Sequence, residues 1–140
     1  MKKQPVTIVL IDDDEDDRLL FSMAVAKSDP SANCTVYDNG PDALQALAES
    51  AATPMFLFLD LNLPGMDGFE ILQVLKSDPS FIHTAIILYS TSGHADNIAR
   101  AESLGASGYV KKPNDFSLLC ETLSKIFSLN PKGQFFTIIS

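Results

Sequence analysis

The chain holds no apolar run near the roughly 20 residues that a membrane-crossing helix needs. Residues 1–3 are basic, but the apolar stretch that follows, 6–11, is too short for a signal-peptide core and runs into a block of acids. The expectation is a cytoplasmic protein that does not contact the membrane. Cysteine is scarce: Cys34 and Cys120 lie far apart, in no metal-ligand spacing, and read as buried free thiols. The two histidines, His83 and His94, have no partners at metal spacing either. Basic residues are few, 10 Lys and Arg against 18 Asp and Glu, a net charge of −8. That balance argues against nonspecific binding of nucleic acid or anionic membranes. No internal repeat or linker is evident, and 140 residues are enough for one domain with a full core.

What is present is organised around Phe56, Leu57, Phe58, Leu59 and Asp60. Four apolar residues run straight into a carboxylate, and Leu61, Asn62, Leu63, Pro64 and Gly65 follow. A short apolar run bounded by turn residues predicts a strand buried on both faces, as in a parallel sheet sandwiched by helices. Asp60 then stands at the carboxyl end of that strand, where open α/β sheets place their ligand sites. A carboxylate there is costly to bury unless it is paired, coordinated or chemically used.

The same alternation recurs along the chain. Residues 6–11 read as a first strand, ending in Asp12 and Asp13. From Asp14 the pattern turns helical, with Leu19, Leu20, Met23, Ala24 and Ala26 at three- and four-residue steps. Asp14 is the expected cap, and Glu15, Asp16 and Asp17 read as a solvated acidic first turn. Strands follow at 34–37, 85–89 and 109–110, with helices at 42–50, 68–76, 95–104 and 114–129. The last helix carries the stripe Phe116, Leu119, Cys120, Leu123, Ile126 and Phe127. Five strands alternating with five helices predict a doubly wound five-stranded parallel α/β sheet with right-handed crossovers and helices on both faces. Residues 1–129 form the expected domain. In the tail, 130–140, residues 131–133 read as a break and 135–139 as a strand.

The polar clusters fall at strand ends: Asp12 and Asp13, Asp60, Ser90 and Thr91, and Lys111, Lys112 and Pro113. Three carboxylates on one rim raise each other's pKa unless a cation joins them. An all-oxygen site of this kind suits Mg²⁺. Carboxylates also act as nucleophiles toward phosphorus, with a metal and an ammonium to stabilise the transferring oxygens.

These pieces resemble a response-regulator receiver domain, over about residues 5–128. The matching segments are I-D-D-D at 11–14, F-L-D-L-N-L-P-G-M-D-G at 58–68, Y-S-T-S at 89–92 and G-A-S-G-Y-V-K-K-P at 105–113. The resemblance implies a flavodoxin-like strand order, 2-1-3-4-5, and a stand-alone phosphorylatable switch rather than an enzyme. It implies that Asp60 accepts a phosphoryl group. Asp13 would be the direct Mg²⁺ ligand beside Asp60, with Asp12 acting through water and Asn62 through its backbone carbonyl. Ser90 matches the switch hydroxyl, Tyr109 the aromatic that swings inward, and Lys112 the family's lysine, followed in the family by a cis bond to Pro113. The implied phosphodonor is a sensor histidine kinase or histidine phosphotransfer protein, and the output is an unidentified protein. Thr91, Asn114 and the tail depart from the family pattern.

Blander readings stand beside these. Asp60 reads otherwise as a turn residue, Asp13 as part of the solvated helix start, Ser90 as a cap, Lys112 as an exposed strand-end charge and Tyr109 as sheet packing. A calcium loop starting at Asp12 fails, because Asp17 falls at its glycine position and Met23 at its final glutamate. Rival functions are an aspartyl-phosphate phosphohydrolase, which wants an acid where Asn62 stands, and a phosphate-independent interaction module. A flavin protein of the same topology would want Ser, Thr and Gly where the first loop is acidic. The tail reads as a frayed or self-packing end or, as a rival, a strand that adds to an exposed sheet edge, its own or a second copy's in a homodimer.

Overall fold

The computed structural model describes residues 5–129 and 133–139. Five strands alternate with five helices: β1 (Thr7–Ile11), α1 (Glu15–Ser28), β2 (Asn33–Tyr37), α2 (Gly40–Glu49), β3 (Phe56–Leu59), α3 (Gly68–Lys76), β4 (Ala85–Ser90), α4 (Ala95–Ser103), β5 (Gly108–Lys111) and α5 (Phe116–Phe127). A sixth strand, β6 (Phe136–Ile138), extends the expected five. The sheet order is β2-β1-β3-β4-β5-β6, and every pair is parallel. A 3-10 turn at Pro79–Phe81, unmarked by any apolar period, precedes β4.

Alternation along the strands explains the layering. Leu57 and Leu59 of β3 join Val9, Ile11, Ile86, Leu88 and Tyr109 beneath α2, α3 and α4. Phe56 and Phe58 join Ile8, Leu10, Ile87, Tyr89 and Val110 beneath α1 and α5. All four residues of β3 are buried, as a central strand covered on both sides must be.

Of the apolar residues that mark α1 in the sequence, only Ala24 is buried. Phe21, Ala24 and Val25 meet the sheet, while Leu19, Leu20 and Met23 are 60%, 44% and 51% exposed. Apolar residues lie on both sides of this helix, and the aromatic Phe21 decides between them. Its ring packs edge-on against Phe58 at 5.0 Å and Tyr89 at 5.5 Å between centroids. The stripe of α5 faces the sheet as its period predicts, with Leu119, Leu123 and Ile126 buried. Cys34 and Cys120 are free, but half-buried rather than buried, because both lie at the margin of the core beneath α1 and α5.

The tail completes the sheet edge. Gly108, Tyr109 and Val110 of β5 pair with Phe136, Thr137 and Ile138. A Cβ on Gly108 would lie 2.5 Å from the Phe136 ring, so glycine is what lets the ring settle over β5. The break expected at 131–133 falls mostly outside the described residues.

Candidate functional site

Strand register assembles the site. Ile11 lies opposite Leu59, and Leu59 opposite Leu88, so the next residues emerge together at the carboxyl rim. The Asp60 amide donates to the Ile11 carbonyl at 3.0 Å and the Asp12 amide to the Tyr37 carbonyl at 3.0 Å. Carboxylate oxygens of Asp12, Asp13 and Asp60 then lie within 4.8 Å of one another. Asp12 and Asp60 are buried; Asp13 is exposed.

The turn after β3 is pinned from two sides. The Asn62 amide donates to Asp60 Oδ1 at 3.2 Å. Asp67 caps α3 through a full capping box with Glu70. Between them Gly68 lies against the chain itself: a Cβ there would run into the Asp60 carbonyl oxygen and come within 2.9 Å of the Leu61 Cα. The helix start is thus pressed onto the backbone that carries the carboxylate, which only glycine allows. Asn62 itself is exposed beside Asp13 in an open groove of about 550 Å³.

Lys112 is the cation of the site. Its amide donates to the Ser90 carbonyl at 2.7 Å, continuing the β4–β5 ladder past Lys111. Its Nζ lies 2.9 Å from Asp12 Oδ2, 3.0 Å from Asp60 Oδ2 and 2.8 Å from Asp17 Oδ2, and 5.4 Å above the Tyr89 ring. The bond to Pro113 is trans, against the family expectation, since no cis peptide bond occurs among the described residues. The parallel ladder already delivers Lys112 to the rim, and the ammonium reaches its acids from there.

The electrostatics follow from burial and neighbours. Burial pushes the Asp12 carboxyl up to about 6, against the lowering effect of the Asp14 amide and the Lys112 ammonium. Its Oδ1 accepts from the Asp14 amide at 3.0 Å, but Oδ2, though beside the ammonium, has no well-directed hydrogen bond. Burial opposes the charge on Lys112, but its close contacts with the Asp17 and Asp12 carboxylates prevail and hold it above the usual lysine value. Burial likewise pushes the Tyr89 phenol up. Buried oxygens of Asp12 and Asp60 within 4.8 Å of an exposed Asp13 oxygen are a donor set that fits a hard divalent cation.

Ser90 is fully buried, and its Oγ accepts from the Ser92 amide at 3.1 Å. Tyr109 is also fully buried, and its hydroxyl donates to the Ser92 carbonyl at 2.6 Å. Thr91 is exposed and leaves the rim. α4 begins at His94 with no side-chain cap, and Ala101 is its only buried residue.

The structure corrects one assignment. Asp17, expected in the solvated first turn, is half-buried and makes the shortest of the three Lys112 contacts. Side chains in a helix lean toward its N-terminus, so an acid one turn past Asp14 projects back over the rim. That lean was the available signal.

Together the parallel sheet and its rim of acids and one lysine define an α/β protein whose polar site lies at the carboxyl ends of its strands. The model of the response regulator receiver domain matches residues 8–124, and this chain belongs to that family. The chemotaxis protein CheY of Pseudomonas aeruginosa is 33% identical over 95 residues, 68% of this chain and 75% of that protein. The crystal structure of the phosphorylated cyanobacterial phytochrome response regulator RcpA is similar with a TM-score of 0.82. It is 28% identical and covers 92% of this chain and 96% of its own. Response regulator RPA3017, in red light signaling of R. palustris, has a TM-score of 0.79 at 26% identity, over 91% and 96%. The chain is therefore a receiver domain of two-component signalling, a family whose members act as signalling switches. Among the described residues no helix is long and apolar enough to cross a membrane.

Proposed function

We propose that the chain accepts a phosphoryl group on Asp60 from a phosphohistidine and signals through protein contacts. An Asp60 oxygen attacks phosphorus and forms a P–O bond. The P–N bond breaks, and its electron pair leaves with the donor imidazole, which takes up a proton. Lys112 stabilises the negative charge on the transferring oxygens, and the Ser90 hydroxyl bonds the phosphoryl group once it is in place. Asp12, Asp13, Asp60 and the Asn62 carbonyl would hold Mg²⁺, which supplies charge neutralisation to the phosphoryl oxygens. Hydrolysis of the acyl phosphate, assisted by the same residues, returns the switch to rest.

The observation that carries this reading is the state of the Asp60 carboxylate. It is 5% exposed, with Oδ1 held by the Asn62 amide and Oδ2 by the Lys112 ammonium. A structural carboxylate has no need of such company at a sheet rim. The donor class is a sensor histidine kinase or histidine phosphotransfer protein, which places the exchange in the cytoplasm. Ser90 and Tyr109, meeting at Ser92, would report the phosphoryl group to the lightly anchored α4 and so to a downstream protein. A second copy of the chain is one candidate for that partner.

Labelling by acetyl phosphate with Mg²⁺ tests the assignment. The wild type takes up phosphate and Asp60→Asn does not; equal labelling of both overturns it. Steady turnover of phosphomonoesters would favour a phosphohydrolase instead, a reading that Asn62 already disfavours by standing where a second acid is wanted.

A further inference from the structure

We infer that Asp17 is a positioning residue for Lys112, holding the ammonium away from full engagement with Asp60 and so restraining phosphorylation. The inference rests on the phosphoacceptor reading and adds a residue outside the acceptor and the metal-fitting trio.

Three acids share one ammonium. Lys112 Nζ lies 2.8 Å from Asp17, 2.9 Å from Asp12 and 3.0 Å from Asp60. Asp12 and Asp60 belong to the carboxylate trio that fits a divalent cation; Asp17 does not. Among the described residues, the lysine is the one side-chain partner of Asp17 in the site. The rim carries four carboxylates, so a dication and the ammonium together leave one negative charge uncompensated. The excess falls on Asp17, which is 30% exposed at its side chain and sits on α1 rather than on a strand end.

Transfer makes new demands on the same ammonium. As Asp60 attacks phosphorus and the bond to the leaving group breaks, charge builds on the phosphoryl oxygens, and Lys112 must turn its protons toward them. A hydrogen bond between two charged groups is about twice as strong as a neutral one, and the contact with Asp17 must loosen to free a proton. Asp17 therefore slows loading of Asp60.

Acetyl phosphate with Mg²⁺ provides the test. Asp17→Asn should speed labelling of Asp60 by roughly 3- to 10-fold, the range expected for a half-exposed charged contact. Asp17→Glu should keep a slow rate. Asp17→Ser serves as a second neutral variant, and the melting temperature of each shows that it folds. In a Lys112→Ala background, Asp17→Asn should change nothing. An unchanged or slower rate in Asp17→Asn overturns the inference, as does an acceleration that survives loss of Lys112. The reactivity of the Lys112 amine toward acetic anhydride, read by mass spectrometry without any phosphodonor, gives an independent measure. It should rise several-fold in Asp17→Asn; no rise would show that Asp17 does not hold the lysine. If labelling fails in the wild type while this reactivity rises, the phosphoacceptor reading falls and the hold on Lys112 stands.

Discussion

Ser90 and Lys112 are bound to each other through the backbone: the Lys112 amide donates to the Ser90 carbonyl at 2.7 Å. The hydroxyl and the ammonium that would meet one phosphoryl group are thus set at adjacent strand ends by a single rung of the ladder. Displacing β4 relative to β5 would misplace both at once.

Asp13 should control the response to metal. Millimolar Mg²⁺ should bind the folded chain alone and so raise its melting temperature. Asp13→Ala removes the exposed carboxylate of the trio and should abolish that rise while leaving the metal-free melting temperature nearly unchanged. Thermal scans with and without Mg²⁺ check this. A full Mg²⁺ effect in the variant would move the metal elsewhere.

Asp12 should make stability depend on pH in a set direction. Its carboxyl is raised to about 6 by burial, from an ordinary value of 3.8. Between these values the folded chain binds more protons than the unfolded one, so Asp12's own contribution falls as pH rises through the window. Two units correspond to on the order of 3 kcal/mol. Urea unfolding in EDTA from pH 4 to 7 should show the wild type losing stability relative to Asp12→Asn. Added Mg²⁺ should narrow the gap at pH 7.

Gly108→Ala should loosen the tail. The added methyl would lie 2.5 Å from the Phe136 ring, so β6 must shift. We expect a cost of about 1–3 kcal/mol and faster proteolysis within β6. Phe136→Ala should relieve most of that cost, making the pair less than additive.

Removing residues 131–140 should expose the β5 edge, whose amides and carbonyls β6 now occupies. Unpaired edges invite pairing between molecules. The truncated chain should show a mass that grows with concentration in light scattering, against a constant mass for the full chain. A constant monomer mass after truncation would mean the edge protects itself.

Most of the fold could be read from the residues because each strand was a short apolar run ending in a turn. α3 came out at its expected bounds, and α5 on its expected face. The acids, the serine and the lysine were legible because they fell at those ends. α1 was read only in part: Ala24 is buried as its spacing suggests, but Leu19, Leu20 and Met23 satisfy helical spacing as well as Phe21 and Val25 do, and spacing alone does not rank two apolar sides. The tail's strand character was visible, and so was its fitness for a sheet edge, but nothing local to residues 135–139 chooses between this chain's own edge, which it joins at β5, and a second copy's. Asp17 looked like its neighbours Glu15 and Asp16. Only the approach of Lys112 from β5, 95 positions away, sets it apart.

The pairing of Leu59 with Ile11 and Leu88 limits how this chain can vary. Each residue advances a strand by about 3.3 Å and reverses its side. One insertion within FLFL would exchange the phenylalanine and leucine sides on one side of it and carry Asp60 about 3.3 Å past its neighbours. Length changes in such a protein are tolerable between the strands and ruinous inside them.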